Sequence, residues 1–99
     1  MVTFIRHATF DSWLKRLGDL KGKARILARI KSAEAGNFGD CELVGEGVSE
    51  MRVHFGPGYR IYLVRRDTVV YVLLCGGDKS SQSRDIRLAK ELARDLRDN

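Results

Sequence analysis

The chain has 99 residues, of which 43% are hydrophobic, and this length accommodates one domain with a single core. We therefore predict one domain over residues 1–99, in which an active site is a surface groove. Eighteen Lys and Arg residues outnumber thirteen Asp and Glu residues, for a net charge of +5. This excess favours polyanionic partners over small acidic metabolites. The plainer alternative is that solvated helices simply carry these basic residues.

The N-terminal sequence contains no apolar run long enough for a signal peptide or a membrane helix. We therefore expect a cytoplasmic protein with no membrane partner. Cys41 and Cys75 are then expected to be reduced thiols, and neither lies at CxxC or metal-ligand spacing. With only His7 and His54 as further ligands, the sequence predicts no metal site and no cofactor.

The first third of the chain predicts a strand and a helical hairpin. We expect a short strand over residues 1–6 and a helix over residues 10–17 with Thr9 as its N-cap. Trp13, Leu14 and Leu17 form the apolar stripe of that helix. A second helix over residues 20–35 has a stripe of its own, formed by Leu20, Ala24, Leu27 and Ile30.

The middle of the chain predicts an antiparallel meander with one apolar and one polar face. Residues 50–55 alternate with period two, which places Glu50, Arg52 and His54 on the polar side. Gly56-Pro57-Gly58 predicts a tight turn in which Phe55 lies opposite Tyr59. In that register His54 pairs with Arg60, Arg52 with Tyr62, Val53 with Ile61 and Met51 with Leu63. A second turn at Arg66-Asp67 places Tyr71 beside Tyr62.

The two ends of the meander complete an α+β fold. A small strand is expected at residues 41–44. After the last strand, Gly76-Gly77 predicts a tight turn into a C-terminal helix with Ser80 as its N-cap. We predict two layers, a helical hairpin packed on the apolar face of the meander, which leaves the polar face uncovered. The stripe of the last helix is Ile86, Ala89, Leu92 or Ala93, and Leu96.

The polar face combines the side chains that metal-independent RNA cleavage requires. Glu50 and His54 are alternative bases for a 2′-hydroxyl, and Lys79 or His54 is a candidate acid for the leaving 5′-oxygen. Arginines stabilise the charge that develops on the phosphate, a role open to Arg60 and Arg52. Tyr62 and Tyr71 are candidates for stacking on a base of single-stranded RNA. The alternatives are a surface ion pair between Glu50 and Arg52 and a cross-strand aromatic pair.

The chain resembles the RelE/ParE toxin superfamily, in its HigB-like branch of addiction-module killer proteins. The resemblance runs nearly end to end. It rests on the following blocks, of which the last three in this order form the specific signature: FDSWLKRL, ARILARI, GNFGD, GVSEMR at residues 47–52, GPGYRIY at residues 56–62 and LLCGGDKSSQSRDI at residues 73–86.

The resemblance implies a toxin of a type II toxin–antitoxin pair, with a two-layer fold of this family. Its expected partner is a small helix-turn-helix antitoxin. RelE-like members cleave mRNA on the ribosome, and Glu50 and Arg60 match positions where they keep an acidic base and an arginine for the phosphate. Lys79 falls near a basic position of the family. This first reading is a ribosome-dependent mRNA endoribonuclease, or mRNA interferase, that inhibits translation.

The resemblance also leaves a second target open. ParE-like members inhibit DNA gyrase by binding, and this chain shares with them a long last helix without Tyr or His. The alternative function is therefore a non-enzymatic gyrase inhibitor. A third reading is a chain that has lost activity and serves as a DNA-binding or antitoxin-binding module.

Overall fold

A computed structural model describes residues 1–98 and shows an α+β fold. Eight main elements follow one another along the chain: β1 (Thr3–Arg6), α1 (Ala8–Arg16), α2 (Leu20–Glu34), β2 (Cys41–Gly45), β3 (Val48–Val53), β4 (Tyr59–Arg65), β5 (Val70–Asp78) and α3 (Gln82–Arg97). One turn of 3₁₀ helix, Lys79–Ser81, joins β5 to α3. The predicted α+β class and C-terminal helix are confirmed. No helix within residues 1–98 is long and apolar enough to cross a membrane.

The five strands form one mixed sheet in the order β1-β5-β4-β3-β2. β1 pairs in parallel with β5, whereas the other neighbours are antiparallel. The short strand predicted at residues 41–44 is confirmed as the edge strand β2. The N-terminal strand closes the other edge, so the meander lies in the middle of the sheet.

Helices cover both faces of the sheet, which makes three layers. On one face α1 and α2 bury a core with β3 and β4, including Phe10, Ile26, Met51, Ile61 and Leu63. On the other face α3 buries a second cluster: Val48, Tyr62, Val72, Leu74, Cys75, Ala89 and Ala93. The predictions of two layers and an uncovered polar face are therefore wrong. The reason is that β5 is apolar on both sides, and such strands are covered on both faces.

The β3–β4 register differs by two residues from the predicted one. Val53 lies opposite Tyr59, and Arg52 lies opposite Arg60, because the connection extends over residues 54–58. Gly58 in this loop has φ +80°, a conformation that favours glycine. A shift of two keeps every side chain on its expected face. Glu50, now opposite Tyr62, therefore stays on the same side as Arg52 and Arg60.

The β4–β5 register differs from the predicted one by four residues at Tyr62 and by three residues beyond it, and the odd shift moves Tyr71 to the other face. A bulge lies between Tyr62 and Leu63, and Tyr71 pairs with Arg65 while Tyr62 pairs with Cys75. Tyr71 packs among Phe4 and Phe38 on the side of the helical hairpin. The predicted position of Tyr71 beside Tyr62 is wrong, because an odd shift in register exchanges the two faces.

The buried stripe of α2 is rotated from the predicted one. Its buried residues are Gly22, Ile26, Ile30 and Ala33, whereas Leu20 and Leu27 are exposed. Gly22 lies against the Tyr59 ring, where a β-carbon would collide, and this contact brings the start of α2 onto β4. The cap of α1 is also different, since His7 accepts from the Thr9 backbone N–H at 3.0 Å.

Gly76 and Gly77 lie inside β5 and do not form the predicted turn. A β-carbon at Gly76 would collide with Trp13 of α1, and one at Gly77 would collide with Asp85 of α3. The two glycines therefore let helices approach both faces of the same strand. Asp78 caps the following turn by accepting from the Ser80 N–H at 2.8 Å, so Ser80 is not the N-cap of α3.

Candidate functional site

A buried carboxylate lies at the centre of the predicted polar face. Glu50 on β3 has 0% exposure, and its oxygens accept hydrogen bonds from three side chains. Arg52 Nε donates to Oε1 at 3.1 Å, while the Tyr62 hydroxyl and Gln82 Nε2 each donate to Oε2 at 2.9 Å. Arg60 Nε lies 3.7 Å from Oε2. We call Glu50, Arg52, Arg60, Tyr62 and Gln82 the Glu50 network.

α3 closes this network from solvent. Gln82 is the first residue of α3, and its amide lies over the Glu50 carboxylate. Tyr62 is also fully buried, and this burial, together with its hydrogen bond to Glu50, raises the pKa of its phenol. Tyr62 therefore remains a neutral donor. Because Glu50 has no exposed surface and accepts three hydrogen bonds, a 2′-hydroxyl cannot reach it in this conformation.

Arg52 connects the buried network to the protein surface. Its guanidinium contacts Glu42 at 2.8 Å and Asp40 at 3.5 Å in addition to Glu50. The Arg52 carbonyl oxygen in turn accepts a hydrogen bond from the Arg29 side chain of α2. Arg52 thus has three acidic partners, and this arrangement gives it a structural role in joining β2 to β3.

Arg60 connects the buried network to an open groove. Its Nη1 donates to the Gly58 carbonyl at 3.0 Å, and 12% of its side chain is exposed. The groove follows the β3–β4 connection and encloses about 400 Å³. We call it the turn groove, and its lining residues are His54, Phe55, Gly56, Pro57, Gly58, Arg60 and Lys79.

A histidine–aspartate pair stands at the turn groove. His54 Nε2 lies 2.6 Å from Asp40 Oδ2, and 74% of the His54 side chain is exposed. This hydrogen bond, with the charge of Arg52 as a further cause, lowers the pKa of Asp40. Because the Asp40 carboxylate carries no proton, Nε2 is the donor. In a neutral imidazole the other nitrogen, Nδ1, then has the free lone pair that proton transfer requires.

Lys79 lies where the turn groove meets a second basic cavity. This second cavity encloses about 450 Å³ at the start of α3, and Lys79, Arg84 and Arg87 supply its cationic side chains. Since Lys79 lines both spaces, positive charge continues from the β3–β4 connection to the first turns of α3. A polyanion crossing this surface meets four cationic side chains: Arg60, Lys79, Arg84 and Arg87.

Comparison with known proteins finds a relative that covers most of the chain. A Haemophilus influenzae (strain Rd) protein described as uncharacterized is 53% identical over 88 residues, which covers 89% of each chain. The chain belongs to the same family as this protein. No family model matches the chain. The description of the relative names no activity, so a function has to be inferred from the geometry of the site.

The structure brings together six of the seven predicted site residues, in two groups. Glu50, Arg52 and Tyr62 are in the buried network, His54 and Lys79 line the turn groove, and Arg60 belongs to both. Tyr71 lies on the opposite face of the sheet. Among residues 1–98, no three His, Cys, Asp or Glu residues are close enough together to hold a metal ion.

Sequence reasoning missed Asp40 and Gln82. Asp40 lies fourteen residues before His54, and the two meet because β2 pairs with β3. Gln82 lies thirty-two residues after Glu50, and they meet because α3 crosses the sheet. Neither contact has a local motif. Asp40 ends the GNFGD block on which the resemblance rests, but nothing in that block indicates a contact with His54.

Proposed function

We propose that this protein is the toxin of a type II toxin–antitoxin module and a metal-independent endoribonuclease that cleaves mRNA on the ribosome. The observation that carries the proposal is the placement of the His54–Asp40 pair, Arg60 and Lys79 around one open groove. These groups are a base with an orienting carboxylate, a phosphate-binding guanidinium and a second cation. The resemblance to the RelE/ParE superfamily supports the same reading.

The proposed reaction is transfer of the phosphate to the neighbouring 2′-oxygen. His54 Nδ1 takes the proton of the 2′-hydroxyl as the oxygen attacks phosphorus, and Asp40 holds the imidazole through Nε2. The bond to the 5′-oxygen breaks, and the Lys79 ammonium gives that oxygen a proton. Arg60 stabilises the extra negative charge on the phosphoryl oxygens. The products are a 2′,3′-cyclic phosphate and a free 5′-hydroxyl.

Glu50 has a positioning role in this proposal. Its carboxylate is buried and lies 3.7 Å from Arg60 Nε, which sets the direction from which the guanidinium enters the turn groove. The structure therefore favours His54 over Glu50 as the base. Of the two bases considered from sequence, only His54 has a large exposed surface beside the groove.

The proposed partners follow from the charge of the groove and from the resemblance. Arg60, Lys79, Arg84 and Arg87 match the phosphates of a single-stranded message presented by the ribosome. The proposed inhibitor is a helix-turn-helix antitoxin encoded beside the toxin gene. An antitoxin that covers the turn groove would exclude RNA directly.

The test is a map of RNA 5′-ends in cells that briefly express the protein. Wild type is compared with His54→Ala and Arg60→Lys, and with Arg65→Lys as a matched control at the exposed end of the same strand. We expect new 5′-hydroxyl ends within translated messages for wild type and Arg65→Lys. We expect their loss in His54→Ala and a strong decrease in Arg60→Lys, because lysine lacks the planar two-point contact of arginine.

The second candidate is the gyrase inhibitor, which one observation favours. α3 covers Glu50, the residue that matches the family's usual acidic base, and closes it from solvent. α3 also contains neither Tyr nor His. DNA supercoiling is therefore measured in the same cells. Growth arrest with intact messages and lost supercoiling would contradict the nuclease proposal and support gyrase inhibition. Cleavage that continues in His54→Ala would contradict the assigned base.

A further inference from the structure

We infer that a cavity beside Phe55 binds the nucleobase next to the cleaved phosphate, an inference that rests on the proposed nuclease function. This Phe55 pocket encloses about 390 Å³ between α2 and the β3–β4 connection. Its size is within the roughly 300–1,000 Å³ of small-ligand pockets. The lining residues are Arg25, Ala28, Arg29, Ser32, Val53, His54 and Phe55.

The Phe55 pocket adjoins the turn groove through two shared residues. His54 and Phe55 line both spaces, so the proposed base catalyst forms the boundary between them. A nucleotide whose phosphate lies beside His54 and Arg60 therefore has the Phe55 pocket within reach of its base. Because the two spaces adjoin, the RNA strand is expected to run from the turn groove toward the Phe55 pocket.

The walls of the pocket suit a flat aromatic ligand. The Arg25 guanidinium carbon lies over the Phe55 ring, 4.9 Å from its centre, so the guanidinium covers that face of the ring. Arg25 is exposed at the surface of α2, and the outer plane of its guanidinium is the surface on which a base stacks. Aromatic rings and guanidinium planes are the two surfaces on which proteins stack unpaired bases. Ala28 and Val53 add apolar wall, and the Ser32 hydroxyl is a donor and acceptor for the edge of a base.

The backbone holds this platform in place. The Phe55 N–H donates to the Val53 carbonyl at 2.8 Å, and the Phe55 carbonyl accepts from the Gly58 N–H at 3.0 Å. Arg29 anchors α2 to the adjoining loop by donating to the Phe38 carbonyl at 2.7 Å. Phe55 is half-buried, with its ring packed on the hairpin core. A fixed ring holds the Arg25 guanidinium in place for stacking at little cost in conformational entropy.

The inference predicts a preference for particular bases next to the cut. On programmed ribosomes, wild-type protein, Phe55→Leu, Arg25→Ala and a control variant, Lys31→Ala, are compared for cleavage of messages that differ only in that base. Lys31 is exposed on the same helix, and it is not among the residues that line the pocket. We expect Phe55→Leu to reduce cleavage at the preferred base about fivefold or more, because the Arg25 guanidinium then loses the ring that holds its stacking plane. Arg25→Ala gives a smaller decrease, because it uncovers the Phe55 ring as a substitute stacking surface, and Lys31→Ala keeps the wild-type preference.

A second measurement detects stacking directly. The probe is a ribosome-bound message in which six successive nucleotides carry 2′-O-methyl groups and therefore cannot be cleaved. In turn, 2-aminopurine replaces the base at each of these six positions. We expect fluorescence quenching at one position next to the cut, present in wild type and Lys31→Ala and lost in Phe55→Leu. Arg25→Ala removes only an exposed side chain, so a folding defect in Phe55→Leu leaves the inference testable.

The outcomes separate this inference from the function on which it rests. Suppose that Phe55→Leu and Arg25→Ala both cleave with the wild-type base preference and both show wild-type quenching. That result would overturn the base pocket and leave the nuclease proposal standing. Wild-type protein that cleaves no message would overturn both. If an antitoxin segment occupies the pocket instead, Arg25→Ala weakens antitoxin binding while base preference stays unchanged, which also contradicts the inference.

Discussion

The Glu50 network and the turn groove contain similar side chains but differ in access to solvent. Glu50 is fully buried and accepts hydrogen bonds from Arg52, Tyr62 and Gln82. His54 stands at the mouth of an open groove with one ring nitrogen held by Asp40. α3 covers Glu50 and leaves His54 open, so this helix, and not the residue types on the strands, decides which of the two groups is exposed to solvent.

In the proposed mechanism, the same comparison separates residues that position their neighbours from residues that react. A buried carboxylate with cations and neutral donors around it holds its neighbours in one geometry, and breaking such a set is costly. An exposed histidine–carboxylate pair adds little to stability but has a nitrogen that can exchange protons. Arg60 belongs to both regions, because it contacts Glu50 from within the protein and lines the turn groove.

The largest expected effect tests the buried side of this comparison. Glu50→Ala leaves Arg60 without its buried partner, and we expect a loss of about 3–5 kcal/mol in the free energy of unfolding. Glu42→Ala removes another carboxylate partner of Arg52, but Glu42 is 63% exposed, so its expected loss is below about 1 kcal/mol. Urea unfolding followed by circular dichroism measures both. Equal losses in the two variants would contradict the structural role of Glu50.

A smaller effect is expected at the tyrosine above Glu50. Tyr62→Phe removes a hydroxyl that donates to the buried carboxylate at 2.9 Å, and we expect a loss of about 1–3 kcal/mol. Tyr71→Phe is the matched control, because Tyr71 packs by its ring among Phe4 and Phe38. Its expected change is below about 0.5 kcal/mol. The same unfolding assay measures both variants. A larger loss for Tyr71→Phe than for Tyr62→Phe would contradict the stabilising role of the Tyr62 hydroxyl.

The smallest expected effect is a pH dependence at the join between α2 and β4. The Tyr59 hydroxyl donates to Asp19 Oδ2 at 2.7 Å, which lowers the pKa of Asp19 and raises that of Tyr59 to about 12. The stabilisation from Asp19 is present above its ordinary pKa of 3.8 and disappears as the pH falls through the lower folded value. That from Tyr59 is present below 10.0 and disappears as the pH rises through about 12.

Asp19→Asn tests this pH dependence with little change in shape. Asparagine still accepts the N-cap hydrogen bond from the Gly22 N–H, so α2 is expected to begin at the same residue. We expect the thermal midpoint of the variant to fall less than that of wild type on both the acid and the alkaline side. Midpoints measured from pH about 2 to about 12 give the comparison. Identical pH profiles for the two proteins would contradict a charged Asp19–Tyr59 pair.

Local patterns correctly predict which side chains share a face in β3 and in α3. The alternation from Glu50 to Phe55 places side chains on the correct faces even though the register is shifted by two. The stripe around Ala89 and Ala93 likewise gives the buried side of α3. These features depend on neighbours in sequence, so period and propensity are sufficient to predict them.

The remaining features depend on contacts between distant segments. The bulge after Tyr62 has no local signature, and it turns Tyr71 to the other face of the sheet. The burial of Glu50 requires α3 to cross the sheet, and the Asp40–His54 pair requires β2 to lie beside β3. The sequence therefore predicted Glu50 and His54 on one uncovered face, whereas the structure buries Glu50 and leaves His54 exposed.

The most direct measurement compares Glu50→Gln and His54→Ala for cleavage of a defined message on purified, programmed ribosomes. Both variants are first shown to be folded by circular dichroism. We expect His54→Ala to lose about a hundredfold or more in rate, because it lacks the base. Glu50→Gln should retain substantial cleavage, because it still positions the network. An active His54→Ala together with a folded but inactive Glu50→Gln would contradict the central claim and return the reaction to the carboxylate beneath α3.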